Sequence, residues 1–221
     1  MTNLIQIEYG ACSEYVRFNY DPDVVGKTVQ FRLIYRGRLS AASQTDSRVP
    51  LKHTIRCSLH SQIKELWNRH PELKNRKQYE DNGWIESEAS RYERCGKKFL
   101  PLLTEDRGLA CALEILFLRR DAPGNVLGRG GDIDNRLKVL FDALRIPRDG
   151  SEIPSSWIPT EDQQPLYCLL DDDKLITTMN ITTDQLLTPM EDGEAVNDVV
   201  LIINVRGIIT DFERAPWGFI A

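Results

Sequence analysis

No apolar run in this chain approaches the roughly 18–20 residues that a bilayer-spanning helix needs, so no membrane anchor is expected. Its first residues show no basic stretch leading into an apolar one, and no secretory leader is expected either. Cysteine is sparse and unpaired. Cys12, Cys57, Cys95, Cys111 and Cys168 stand singly, five in all, with no CxxC spacing. An odd set of scattered thiols argues against a disulfide frame or a zinc cluster, and a cytoplasmic location is the expectation. Histidine is scarcer still. His53, His60 and His70 have no Cys or carboxylate at ligand spacing, so they are expected at the surface or against phosphate rather than on a metal. No internal repeat and no low-complexity tract is visible. A glycine-rich stretch runs from Gly124 to Gly131, but no Gly-Lys-Ser/Thr follows it, which removes P-loop nucleotide binding.

What is present is an ordinary soluble composition, 41% hydrophobic and 28% charged over 221 residues, long enough for one domain with a real core. The expected organisation is a single domain over residues 1–221 with insertions near 70–105 and 147–165. The net charge of −5 hides an uneven distribution. Residues 1–25 carry one Lys/Arg against four Asp/Glu, residues 26–99 sixteen against eight, and residues 100–221 eleven against twenty-one. A basic segment beside an acidic one suits a protein that holds a polyanion on one surface and metal ions on another, although solvated charge of both signs gives the same pattern.

Residues 28–35 alternate Val29, Phe31, Leu33 and Tyr35 against a mixed face, which predicts a half-buried strand. From Pro50, the residues Leu51, Ile55, Leu59, Ile63 and Leu66 recur at helical spacing, ending before Pro71. Beside that stripe Lys52, Arg56, His60 and Lys64 follow one another four apart, either a solvated face or a row that can lie along a phosphate backbone. Residues 72–105 are polar and weakly periodic, an excursion. Leu109 to Leu118 predicts a strand, and a helix follows that Asp132 or Asp134 can cap. Its apolar face is Ile133, Leu137, Leu140, Phe141 and Leu144, with Asp134, Lys138 and Asp142 on a neighbouring face. Residues 147–165 read as a surface loop, and 174–181 and 199–205 as two further strands. The order β-α-β-α-β-β predicts a mixed α/β (α+β type) layer structure with helices packed on a mixed sheet.

The chemistry concentrates in Asp132-Ile133-Asp134-Asn135-Arg136-Leu137-Lys138, running on to Asp142-Ala143-Leu144, and in Asp171-Asp172-Asp173 some thirty residues later. Clustered carboxylates repel and raise one another's pKa unless a cation lies between them. Oxygen ligands without His or Cys favour Mg²⁺, with Mn²⁺ a substitute, over zinc. Phosphodiester hydrolysis needs carboxylates to hold such an ion, a water as nucleophile and a cation facing the phosphate. Asp132 and Asp134 at the mouth of a helix, Lys138 one turn on, and an acidic cluster before a strand supply those parts. The bland alternatives are an N-cap and an i,i+4 ion pair. The combined pattern DxDNxxKxxxDAL with a later Asp-Asp pair is far more specific than either half.

These residues resemble the RusA-like Holliday junction resolvases, small phage and bacterial endonucleases that carry the same two elements. The match covers residues 131–144 and 170–176, about a fifth of the chain. The resemblance implies Asp132, Asp134 and Asp173 as metal ligands with Asp172 adjacent, Lys138 as the phosphate-facing cation, and Asn135 and Asp142 in support. It also implies a homodimer that cuts a four-way junction in two paired nicks. The expected function is a Mg²⁺-dependent endonuclease for branched DNA, held by basic residues among which Arg36, Arg38, Lys52 and Arg56 are the expected contacts. Two rivals remain: a catalytically silent DNA-binding accessory protein of the same fold, and a metal-dependent phosphohydrolase with another substrate.

Overall fold

In a computed structural model, the structure describes residues 3–9, 12–18, 29–40, 48–71, 73, 83–120, 133–187, 198–211 and 213–215. Over these residues it is a mixed α and β structure containing a mixed sheet and several helices. Strands β1 (Asn3–Tyr9) and β2 (Cys12–Phe18) form an antiparallel pair. Next come β3 (Gln30–Arg38), α1 (Val49–Arg69), α2 (Gly83–Arg91) and β4 (Phe99–Leu103). The remaining elements are β5 (Leu109–Arg119), α3 (Ile133–Leu144), β6 (Leu166–Leu170), β7 (Ile176–Gln185) and β8 (Asp198–Ile209). No helix among the described residues is long and apolar enough to cross a membrane.

The principal sheet has the order β3-β8-β5-β7. The neighbours β3 and β8 are antiparallel, as are β8 and β5, while β5 and β7 are parallel. In β3 the alternation seen in the sequence is realised: Phe31, Leu33 and Tyr35 are buried, while Gln30, Arg32, Arg36 and Arg38 are exposed. The outer edge of β3 is covered by α1, whose Gln62 amide accepts from Ile34 N–H (2.9 Å) and donates to Ile34 C=O (2.7 Å). That satisfies both backbone groups of Ile34, at the middle of an edge which would otherwise offer them to another strand. At the opposite edge, β7 is largely exposed. A parallel neighbour requires a crossover, and the route from β5 to β7 passes through α3 and β6.

α1 starts with Pro50 in its first turn and ends at Arg69, with His70 extended ahead of Pro71. Of its predicted stripe, Ile55, Leu59, Ile63 and Leu66 are buried and Leu51 is half-buried. The adjacent row departs from expectation: Arg56 and His60 are each 2% exposed and His53 7%, because α1 packs against α3 and β6 with this face as well. The expectation that His53 and His60 lie at the surface is therefore corrected. His60 Nδ1 accepts the backbone N–H of Tyr167 (2.9 Å), and its other ring nitrogen faces Asp162 (3.3 Å).

The order of elements is richer than the sequence pattern indicated. β1, β2, β4, β6 and α2 were not predicted as elements. β4 and β6 pair in parallel and are buried along their whole length, so they carry no alternation to read. Residues 147–165 are not a bare surface loop. Short 3₁₀ turns at Gly150–Glu152 and Glu161–Gln163 shape them, Ile153 is buried, and Trp157 packs on His53 (ring centroids 4.3 Å apart) and Phe99 (6.2 Å). β7 starts at Ile176 rather than at 174, since Asp173–Leu175 forms a 3₁₀ turn that Asp172 caps. The glycine-rich stretch 124–131 lies outside the described residues.

Candidate active site

α3 forms where the periodicity placed it, with Leu137, Leu140 and Leu144 buried and Val139 and Ala143 widening the face. On its outer side Asp134, Lys138 and Phe141 stand at i, i+4 and i+7, which puts them in one row along the helix. Asp134 and Lys138 approach to 3.9 Å, with side chains 58% and 72% exposed, and Asp134 Oδ1 also accepts Asn135 N–H at 2.7 Å. At a rise of about 1.5 Å per residue, Asp134 lies about 10 Å along the axis from Phe141. Phe141 marks where this row meets the second acidic element. It lines an open groove of ≈ 360 Å³ together with Asp173, Lys174, Ile176, Thr177, Thr178 and Met179.

The three consecutive aspartates have different surroundings. Asp171 closes the buried β4–β6 pair: its N–H donates to Leu103 C=O (3.1 Å) and its Oδ2 accepts Glu105 N–H (3.1 Å). Burial pushes its carboxyl above the ordinary range, and its Oδ1 is buried with no hydrogen-bond partner. Asp172 is held below the ordinary range, chiefly by the Lys174 N–H that donates to its Oδ1 (2.9 Å), burial opposing this in part. The Asp173 carboxyl is within hydrogen-bonding reach of Asp172, and Asp173 Oδ1 accepts from Arg148 Nη2 at 3.1 Å. Asp172 therefore caps the turn after β6 and Asp173 meets Arg148, with Asp171 turned toward the end of β4.

Asp142 ties α3 down. It pairs with Lys52 on α1 (2.6 Å) and with Arg145 (2.7 Å), and Arg145 is 1% exposed. Arg145 also grips both oxygens of Glu152 at 2.8 Å each. Burial by itself would push the Glu152 carboxyl up, but the hydrogen bonds from Arg145 and from Arg148 N–H bring it down to about 2. Burial works against the Arg145 charge too, and Glu152 and Asp142 more than offset it.

Two of the expected DNA contacts meet a different fate. Arg56 is corrected: it is buried and donates to Arg145 C=O (3.1 Å) and Asp142 C=O (2.8 Å), capping the end of α3, so a phosphate backbone cannot reach it. Lys52 is engaged by Asp142. Arg36 and Arg38 are exposed on β3, at the edge of the sheet opposite β7 and three strand spacings away, about 14 Å. Asp132 lies outside the described residues. Among the described residues there is no group of three or more His, Cys, Asp and Glu side chains placed to hold a metal ion. The donors that are described suit a hard divalent cation. Asp172 and Asp173 are two carboxylates within reach of each other, with no imidazole or thiolate among the residues lining the groove.

One participant was not legible in the sequence. Arg148 belongs to no motif and sits in the stretch read as a loop, yet it reaches Asp173. No protein-family model, curated protein or solved structure matches the chain.

Proposed function

We propose that this protein is a Mg²⁺-dependent, structure-selective endonuclease that acts as a homodimer on four-way or related branched DNA. The observation that carries this reading is the row Asp134, Lys138, Phe141 running into the groove that Asp173 lines, beside the Asp172–Asp173 pair. The carboxylates proposed to hold the ion are those of Asp172 and Asp173, with Asp132 and, from the neighbouring helix, Asp134, which among the described residues does not join them in one ligand group. When bound, Mg²⁺ supplies charge stabilisation at the phosphoryl group and a more acidic water.

The chain's own residues do the rest. Lys138, 72% exposed and bonded only loosely to Asp134, is able to swing its ammonium to a non-bridging phosphate oxygen. There it offsets the negative charge that gathers as water attacks phosphorus. The P–O bond to the leaving sugar then breaks: water's oxygen stays on phosphorus and gives up a proton to solvent, and the departing alkoxide takes up a proton from solvent. Asp142 and Arg56 hold α3 rigidly against α1, which keeps the reacting row in register.

The test is nicking of a labelled synthetic four-way junction beside a linear duplex of equal length, in Mg²⁺ and in EDTA. Wild type, Asp134→Asn and Lys138→Ala are compared. Both side chains are exposed, so the variants keep the wild-type melting temperature. Symmetric, junction-selective, Mg²⁺-dependent cuts, lost in both variants while junction binding is retained, are expected. Tight junction binding without cutting in any divalent metal overturns the enzyme reading in favour of a silent binding protein. Cleavage of nucleotides alone favours a different phosphohydrolase.

A further inference from the structure

The two stretches that look like excursions in the sequence, 70–105 and 147–165, meet beside the candidate site, and what they fix there is Arg148. Its main chain is clamped at both polar groups. The N–H donates to Glu152 Oε2 (3.1 Å), and the carbonyl accepts from Arg94 Nε (3.1 Å). Each clamp is itself anchored. Glu152 is gripped by the buried Arg145, and Arg94 belongs to a tight turn in which Arg94 and Lys97 pair while Cys95 (φ 52°) and Gly96 (φ 72°) turn the chain. The two stretches approach closely at Gly150, where a Cβ would overlap the Sγ of the exposed Cys95. From this anchored backbone the guanidinium reaches Asp173 Oδ1 at 3.1 Å while 59% of the side chain stays in solvent. A surface Arg–carboxylate pair adds little to stability. The clamp is therefore better explained by what the guanidinium does than by what the ion pair contributes to folding.

We propose that Arg148 is a second phosphate-directed cation of the site, stored on Asp173 until a divalent ion takes that carboxylate. This rests on the endonuclease reading above. Without the ion, Arg148 neutralises Asp173. With an ion on the same oxygens, Asp173 would no longer neutralise Arg148, and the exposed guanidinium would be released for a substrate phosphodiester. A planar fork of donors suits two non-bridging oxygens there better than a lysine ammonium does. Arg148 is in this scheme a substrate contact, and Arg94, Glu152 and Arg145 are positioning residues.

The role has a signature of opposite signs that a structural residue would not show. Removing Arg148 removes a competitor for Asp173, so metal binding tightens, and it removes a cation from the transition state, so cleavage slows. Mn²⁺ binding followed by paramagnetic resonance, and single-turnover cleavage of a four-way junction, are measured on the full chain for wild type, Arg148→Ala and Arg148→Lys. The alanine variant is expected to bind Mn²⁺ several-fold more tightly and to cleave about 10²–10³-fold more slowly, the loss seen for a single transition-state donor. The lysine variant falls between the two. If wild type cleaves and Arg148→Ala matches it, or if Arg148→Ala binds Mn²⁺ more weakly, the role is wrong and the endonuclease reading stands. If wild type neither holds Mn²⁺ nor cleaves, that reading falls and the role of Arg148 falls with it.

Discussion

Glu152→Gln removes one charge from the network behind the site and leaves its shape in place. In the native protein Glu152 accepts two hydrogen bonds from Arg145 at 2.8 Å each and one from Arg148 N–H at 3.1 Å. Its carboxyl is shifted from the ordinary 4.5 down to about 2. By linkage such a drop corresponds to an upper bound of about 3 kcal/mol of native stability. The side chain keeps 21% of its surface in water, and glutamine retains an oxygen for one Arg145 bond, so about 1–2 kcal/mol is expected at pH 7. For a chain of this size that lowers Tm by about 2–4 °C per kcal/mol. The sign is set by the depressed pKa. The carboxylate's contribution is complete above the unfolded value near 4.5 and is lost as pH falls toward about 2, where the wild-type group is protonated and resembles glutamine. Urea unfolding of both proteins at pH 7, 4 and 2.5 is the assay, with Glu161→Gln, at an exposed position, as control. The two proteins should differ at pH 7 and converge in acid. A difference that does not narrow as pH falls, or none at pH 7, refutes the assignment of Glu152 as the partner that makes the buried Arg145 charge tolerable.

Two further perturbations address the scaffold. Gly108 has φ +61°, and a methyl group there would stand 2.6 Å from Asp211 Cβ and 2.7 Å from Asp211 O, so Gly108→Ala should destabilise by more than about 2 kcal/mol in urea unfolding. A variant as stable as wild type would show that the close approach of the turn before β5 to the end of β8 is not maintained. His53 is brought down to about 4 by burial first, with Arg56 and Lys97 adding to it. Its neutral form therefore favours the fold above pH 6.5, and that contribution is lost as pH falls toward 4. An NMR titration of the His53 ring should give a midpoint near 4 in the folded protein, and a midpoint near 6.5 contradicts its burial against Trp157.

Much of the central machinery can be read without the fold. The spacing of Leu137, Leu140 and Leu144 requires a helix, and that helix necessarily carries Asp134, Lys138 and Asp142 on a neighbouring face, whereas the place of Phe141 at the groove came only from the structure. The alternation at Phe31, Leu33 and Tyr35 likewise requires a strand with its arginines facing outward. Periodicity is less informative where an element is buried on every side. β4 and β6 show no alternation because both faces are covered, and Arg56 and His60 lie on a second buried face of α1 that hydrophobicity does not mark.

Local pattern, then, determined β3, α1, β5, α3 and β8 and which chemical groups travel together on them, because those relations span only a few residues. Tertiary structure decided the partners. Asp171 turns toward the end of β4 while Asp172 caps the following turn and Asp173 meets Arg148, since β4 comes alongside β6 from more than sixty residues earlier. Arg56 caps α3 rather than meeting DNA, across a separation of 86 residues. Arg148 owes its place to Arg94, 54 residues away, and to a buried charge pair. A carboxylate's or a guanidinium's role depends on burial and on the charges beside it, and those are properties of contacts that chain proximity does not encode.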